Sequence, residues 1–249
     1  MSELHGGTVT FLFSDIEGST RLLEQLGDRY AEVHRDHRRI LRERLASAGG
    51  REIDTQGDAF FFSFPRAKDA VEGAVAAQRE LGSHAWPDDV DVKVRMGLHT
   101  GEPTVGEEGY LGMDVVRAAR ICSAGHGGQV LLSETTRALV GNNVPPGVEI
   151  RDLGQTNLKD VQHERIFELS LSERADSFPP LKSSAETGAD DLAAQIQRKV
   201  HEQVMAGFEP GSPDDSTSKL AKLVLVGFLA LFLSLAAIAA IVLLVSAVI

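Results

Sequence analysis

The sequence predicts an α+β fold in which an antiparallel sheet carries helices on one face, and three observations lead there. Apolar runs of strand length recur at residues 7–14 (GTVTFLFS), 51–64 and 90–101 (VDVKVRMGLHTG). Longer stretches of helical period separate them. Their order is β-α-β-β-α-β followed by additions, the ferredoxin-like arrangement of two split β-α-β units.

Taken in order, GTVTFLFS forms the first strand, and Glu17 to Ser19 open a helical stretch reaching about Ala48, where Gly49-Gly50 end it. Residues 51–64 read as two strands joined at a Gly57-Asp58 turn, and FFFSF in the second is apolar on both faces. Pro65 punctuates, and residues 66–82 form an alanine-rich helix with Ala70, Ala74, Ala77 and Leu81 along one side. Alternation over 90–101 places Val90, Val92, Val94 and Met96 on one face of a strand. A helix over 113–124, a GHGG turn, the strand QVLLS, a short helix and strands near 148–153 and 164–169 complete a domain spanning 6–172.

Beyond it the composition changes. Residues 173–189 are rich in Ser, Pro, Glu and Ala, as a linker is. Residues 190–208 recover an amphipathic helical pattern, with Leu192, Ile196, Val200 and Val204 four apart; 209–222 is a second linker. Leu223 to Ile249 hold no charged residue and no proline. As a helix, that run extends about 40 Å, more than a bilayer core of about 30 Å. The expectation is a single-pass carboxy-terminal anchor in the cell membrane, with Lys219 and Lys222 at its inner end and the 6–172 domain on the cytoplasmic side.

The formal net charge of −11, with no basic tract, argues against nucleic acid as a partner. Cys122 is the single cysteine, so no intrachain disulfide forms, and no Cys/His zinc pattern is present.

Chemistry concentrates in FLFSDIEGST (11–20) and QGDAFFFSF (56–64), each placing one acid, Asp15 or Asp58, at the end of an apolar strand beside a glycine-permitted turn. Mg²⁺ favours carboxylate oxygens combined with substrate phosphates. Two ions so held clamp the attacking and leaving oxygens of an in-line displacement at phosphorus. Helix N-termini also bind phosphate through backbone amides, and Ile16 to Ser19 open a helix directly after Asp15.

FLFSDIEGST, DTQGDAFFFSF, MGLHTGEP and DVVRAARICSAGHGGQVLLSE together resemble the catalytic domain of class III nucleotidyl cyclases, over roughly residues 6–170 and in its bacterial, largely actinobacterial, form. The resemblance implies a head-to-tail homodimer with active sites in the interface. There a ribose 3′-OH attacks the α-phosphate of ATP or GTP to give cAMP or cGMP and pyrophosphate. It implies that Asp15 and Asp58, with Ile16, hold two Mg²⁺ or Mn²⁺ ions per site. Ile16, Glu17, Gly18, Ser19 and Thr20 fall at the phosphate-cradling turn, and Lys159 at a triphosphate-contacting lysine. Arg120 matches the arginine that crosses from the partner subunit to stabilise transition-state charge.

Three positions depart from the adenylyl cyclase pattern. The adenine-reading lysine is replaced by Asp54 and its partner aspartate by Gly109, a pair closer to the guanylyl arrangement, since a carboxylate accepts from guanine N1 and N2. The ribose-orienting asparagine or histidine is replaced by Val116, four residues before Arg120 on the same helix face. These departures keep two alternatives open: a non-catalytic nucleotide-binding and dimerisation module, and a cyclase acting on pyrimidine triphosphates. A polymerase-type palm on a similar sheet is a weaker third.

Overall fold

Side chains alternate across a strand, so a run that is apolar at every position needs cover on both faces of the sheet. In the computed structural model, which describes residues 4–106, 109–173 and 178–182, the central strands receive that cover. The elements in chain order are β1 (Val9–Ile16), α1 (Ser19–Leu26), α2 (Tyr30–Ser47), β2 (Arg51–Gln56), β3 (Ala59–Phe64), α3 (Ala67–Ser83) and β4 (Val94–Gly101). A small hairpin of β5 (Thr104–Gly106) and β6 (Gly109–Leu111) follows, then α4 (Met113–Ala124), β7 (Val130–Ser133), α5 (Glu134–Val140), β8 (Val148–Leu158) and β9 (Val161–Leu171).

The main sheet runs β2-β3-β1-β4-β7-β9-β8. Its first four strands are antiparallel and in the ferredoxin-like order expected from the sequence. The all-antiparallel expectation fails further along, because β4 and β7 pair in parallel, making the sheet mixed. A parallel neighbour requires a crossover, and the β5–β6 hairpin and α4 lie within it.

The expectation that helices cover one face is also corrected. Leu12, Phe60, Phe62 and Phe64 point to α2 and α3, packing with Ile40, Leu41, Leu45, Val71 and Ala74. Phe11, Phe13 and Phe61 point the other way, against Val115, Ala118, Ala119 and Cys122 of α4. The doubly apolar FFFSF run recorded this two-sided burial. Each fully buried Phe contributes roughly 1.5–3 kcal/mol. Contact between α4 and the sheet is so close at Gly97 of β4 that an added Cβ would lie 2.2 Å from the Cys122 amide nitrogen. Only glycine fits there.

Smaller differences have local causes. The single helix expected up to Ala48 breaks at Gly27, whose φ of 53° no ordinary helical residue adopts, and a 3₁₀ turn over Gly27–Arg29 separates α1 from α2. The last two strands are longer than expected and form one hairpin closed by Lys159-Asp160. Among the described residues no helix is long and apolar enough to cross a membrane. The expected anchor at 223–249 and amphipathic helix at 190–208 lie outside the described residues. Within the stretch expected as a linker, Leu181 packs against a small cluster that includes Ile121, Leu158 and Val161.

Candidate active site

The β2–β3 turn sets the first feature of the site. Gly57, at φ 59°, turns the chain tightly, and Asp58 emerges beside the end of β1. There the Ile16 amide donates to Asp58 Oδ2 at 3.1 Å. Asp15 stands directly opposite Arg95 in the β1–β4 ladder. The guanidinium donates to both of its oxygens, with Nη2 at 2.7 Å from Oδ2. Arg95 also reaches the Ser123 carbonyl of α4 at 3.4 Å. Burial pushes the Asp15 carboxyl above its usual range. Arg95 opposes that shift, and the neighbouring charge of Asp58 adds to it.

The turn after β1 is the second feature. Gly18 has φ 70° and ψ 30° and caps α1, with its carbonyl accepting from Leu22. The Glu17 amide donates to the Lys93 carbonyl at 2.9 Å. With Ile16 and Glu17 engaged, Gly18, Ser19 and Thr20 offer the amides that a helix start leaves without an internal partner. The Glu17 side chain accepts from the Gly127 amide at 3.0 Å and from Lys182. Burial opposes its ionisation, but Lys182 and the Gly127 amide outweigh burial and hold the carboxyl below its usual range.

Asp15, Asp58 and this turn line one cleft of about 530 Å³. Arg21, Glu24, Gln56 and Arg95 line it too, and sequence reasoning missed all four. Arg95 left a signal, being a charge in a strand whose neighbours Val94 and Met96 are buried. Arg21 left a weaker one, a cation in the first turn of a helix following a strand-end acid.

The remaining candidates gather elsewhere in the chain. Arg120, on α4, is 2% exposed and donates from Nη2 to Asp160 Oδ2 at 2.9 Å. Lys159 is the neighbouring residue of that hairpin tip, half-buried. Val116, one turn before Arg120, is buried. Asp54 pairs across the ladder with Phe61, and its carboxylate accepts from Gln56 Nε2 at 3.1 Å. Gly109, at φ 146°, opens β6. Its neighbour Tyr110 stands edge-on to Phe61, with centroids 6.5 Å apart. None of Asp54, Gly109, Val116, Arg120 and Lys159 lines the cleft that holds Asp15 and Asp58.

Residues 2–170 match the family model described as the adenylate and guanylate cyclase catalytic domain. The chain belongs to that family. Relatives include an uncharacterised protein of Mycobacterium tuberculosis, 34% identical over 195 residues, covering 76% of this chain and 65% of that protein. An adenylate cyclase of Podospora anserina is 27% identical over 219 residues, covering 66% of this chain but 10% of its own length. The chain therefore spans slightly less than two thirds of the first of these relatives and a small part of the second. Among solved structures, an adenylate cyclase from Trypanosoma brucei in its monomeric state superposes with a TM-score of 0.65 at 24% identity, covering 71% of this chain and 95% of that one. At that identity the likeness speaks for the fold.

Cyclase domains of this class generally use divalent metals. Among the described residues no group of three or more His, Cys, Asp and Glu gathers as a metal cage. The donor set at the cleft is instead two carboxylates, Asp15 and Asp58. A carboxylate offers about four lone-pair positions, so the Arg95 contacts and the Ile16 amide leave acceptor capacity on both. A hard cation that completes its shell with water and phosphate oxygens fits this pair.

Proposed function

We propose that the chain is a nucleotidyl cyclase, a phosphorus–oxygen lyase converting ATP or GTP to cAMP or cGMP and pyrophosphate at a site shared by two copies. One observation carries the reading: two acids and the turn that starts α1 line a single cleft. Asp15, Asp58 and the Ile16 carbonyl would hold two Mg²⁺ or Mn²⁺ ions, which when bound neutralise phosphate charge and lower the pKa of a coordinated hydroxyl. The amides of Gly18, Ser19 and Thr20 donate to phosphate oxygens, with Arg21 beside them. The ribose 3′-hydroxyl gives up its proton to solvent as its oxygen bonds to the α-phosphorus, and the bond from that phosphorus to its bridging oxygen breaks, releasing pyrophosphate.

Arg120 and Lys159 would add positive charge to that of Arg21 at the triphosphate. They lie on α4 and the β8–β9 tip, outside the lining of the Asp15 cleft, and this supports the homodimer reading, in which a second copy delivers them across an interface. Asp54 favours a base presenting donors, hence guanine, while the pyrimidine bases remain the minor alternative. Buried Val116 beside Arg120 favours a second reading, a module that binds nucleotide and dimerises without turnover. A carboxy-terminal anchor at 223–249, holding copies in one membrane plane, would raise their effective concentration.

The test is incubation of the purified protein with Mn²⁺ or Mg²⁺ and each of the four triphosphates, with products identified by mass spectrometry. A purine 3′,5′-cyclic product that disappears in Asp15→Ala supports the enzyme. No cyclic product from any triphosphate rejects it in favour of the module.

A further inference from the structure

After the last strand the chain returns to the domain at Phe178–Lys182, and its contacts there lie on both groups of site residues. The Lys182 amide donates to the Ala124 carbonyl at the end of α4, at 2.9 Å. Leu181 packs against the small apolar cluster that holds Ile121 and Ala124 of α4 together with Leu131, Ile166, and Leu158 and Val161, the two residues bracketing the Lys159-Asp160 tip. The Pro180 carbonyl meets His126 Nε2 at 3.0 Å. The Lys182 ammonium binds Glu17, inside the phosphate turn. It is also close enough to Asp15 for its charge to favour the ionised carboxylate.

Glu17 is the hinge of this arrangement. Its backbone amide is tied to Lys93, and its side chain links the Gly127 amide to Lys182. Gly18, whose φ of 70° sets the direction of the turn that starts α1, follows directly. Orientation of amides toward a phosphate depends on backbone placement to a fraction of an ångström. A charge-assisted bond that fixes Glu17 therefore bears on substrate binding without touching substrate. Pro179 and Pro180 have restricted φ, which lowers the conformational freedom lost when the segment docks.

We propose that Pro180–Lys182 is a clasp belonging to the catalytic unit, in which Lys182 is a positioning residue that holds the phosphate turn through Glu17, and Leu181 is the wedge that seats it. The proposal rests on the nucleotidyl cyclase reading for its kinetic consequence but not for the contact itself. Through Leu181 the same clasp packs on the cluster shared by α4 and the hairpin that carries Lys159, and through Lys182 it holds Glu17 in the turn beside Asp15. It joins the two groups of site residues within one chain.

Two arms test it, both on the full-length protein. In the first, amide hydrogen exchange is compared between wild type and Leu181→Asp. Faster exchange at the hydrogen-bonded amides of Glu17 and residues 126–128, with residues 60–64 unchanged, supports the clasp whether or not any nucleotide is turned over. Unaltered exchange at Glu17 and over 126–128 overturns it. In the second, Lys182→Ala is expected to raise KM for the triphosphate about ten- to a hundredfold while kcat holds within about twofold, the size expected from one charge-assisted hydrogen bond. Lys182→Arg restores most of the loss, and Lys182→Ala combined with Glu17→Gln is no worse than either alone. A KM unmoved by Lys182→Ala, or additive losses in the double variant, overturns the positioning role. Absence of turnover in the wild type speaks against the cyclase reading alone, and the exchange arm then decides the clasp.

Discussion

Arg95 and Asp15 face each other in the β1–β4 ladder, and the guanidinium binds both carboxylate oxygens. The arginine side chain is 6% exposed and the aspartate 13%, so this is a desolvated pair at the floor of the cleft. Breaking such a pair from one side leaves a buried, uncompensated charge. Arg95→Met should therefore destabilise the fold by about 3–5 kcal/mol. The double variant Arg95→Met with Asp15→Leu should recover most of that loss. Urea unfolding midpoints compare the three proteins. A single variant as stable as wild type would mean that the pair carries no net coupling.

Acid should weaken the fold through His37. This ring is fully buried on α2, edge-on to Phe60 with centroids 5.7 Å apart, and neither nitrogen has a hydrogen-bond partner among the described residues. Burial lowers its pKa from 6.5 to about 3, with the charges of His34 and Arg38 adding to the effect. A group with a depressed folded pKa stays neutral in the native state while the unfolded chain takes up a proton below pH 6.5. Stability is thus full above that pH and falls as pH drops toward 3. At 1.36 kcal/mol per unit, the loss between pH 6.5 and 5 is about 2 kcal/mol. His37→Leu should remove that share of the slope and keep the part due to His99, whose pKa burial also lowers. Denaturant titrations of both proteins at pH 7 and pH 5 measure the difference.

What the sequence disclosed about this molecule depended on range. Strand alternation in VDVKVRMG and the apolar run FFFSF located β4 and β3, because those patterns are properties of a single element. The same run also implied cover on both faces, but nothing local says that α4 supplies it. That follows from Gly97, whose missing side chain admits the Cys122 backbone. The acids Asp15 and Asp58 were legible as strand-end carboxylates beside glycine turns. Their hidden partners were not, since Arg95 meets Asp15 through a register set eighty residues apart in the chain. Lys182 is a sharper case. It lies in a Ser/Pro-rich stretch whose composition reads as linker, and only the tertiary fold brings it to Glu17.

Val116→Asn should raise turnover. Position 116 shares a helix face with Arg120, and in the class III pattern an asparagine or histidine there orients the ribose. A hydrogen bond made in the transition state is worth roughly 1–3 kcal/mol, or about ten- to a hundredfold in rate. The substitution places a polar amide where Val116 is 8% exposed, so a modest loss of stability accompanies the gain unless the amide finds a partner. Comparing kcat with the thermal midpoint separates the two effects. Unchanged kcat in a folded variant would remove position 116 from the site.

A site shared by two copies, as proposed, makes a quantitative prediction about mixtures. Asp58→Ala removes an acid from the cleft, and Arg120→Ala removes the guanidinium on α4, so each homodimer should be inactive at both sites. In a heterodimer of the two, one site combines the intact Asp58 of one chain with the intact Arg120 of the other. The second site lacks both. Random exchange at equal amounts makes half of the dimers mixed, and each mixed dimer has one of two sites, so activity should return to about a quarter of wild type. A residue acting within its own chain would give no recovery at any mixing ratio, because no chain in the mixture carries both groups. Subunit exchange is followed separately by a fluorescence label on each variant. Exchange without recovered activity would place Arg120 and Asp58 in one chain's site, despite their separate positions in the fold.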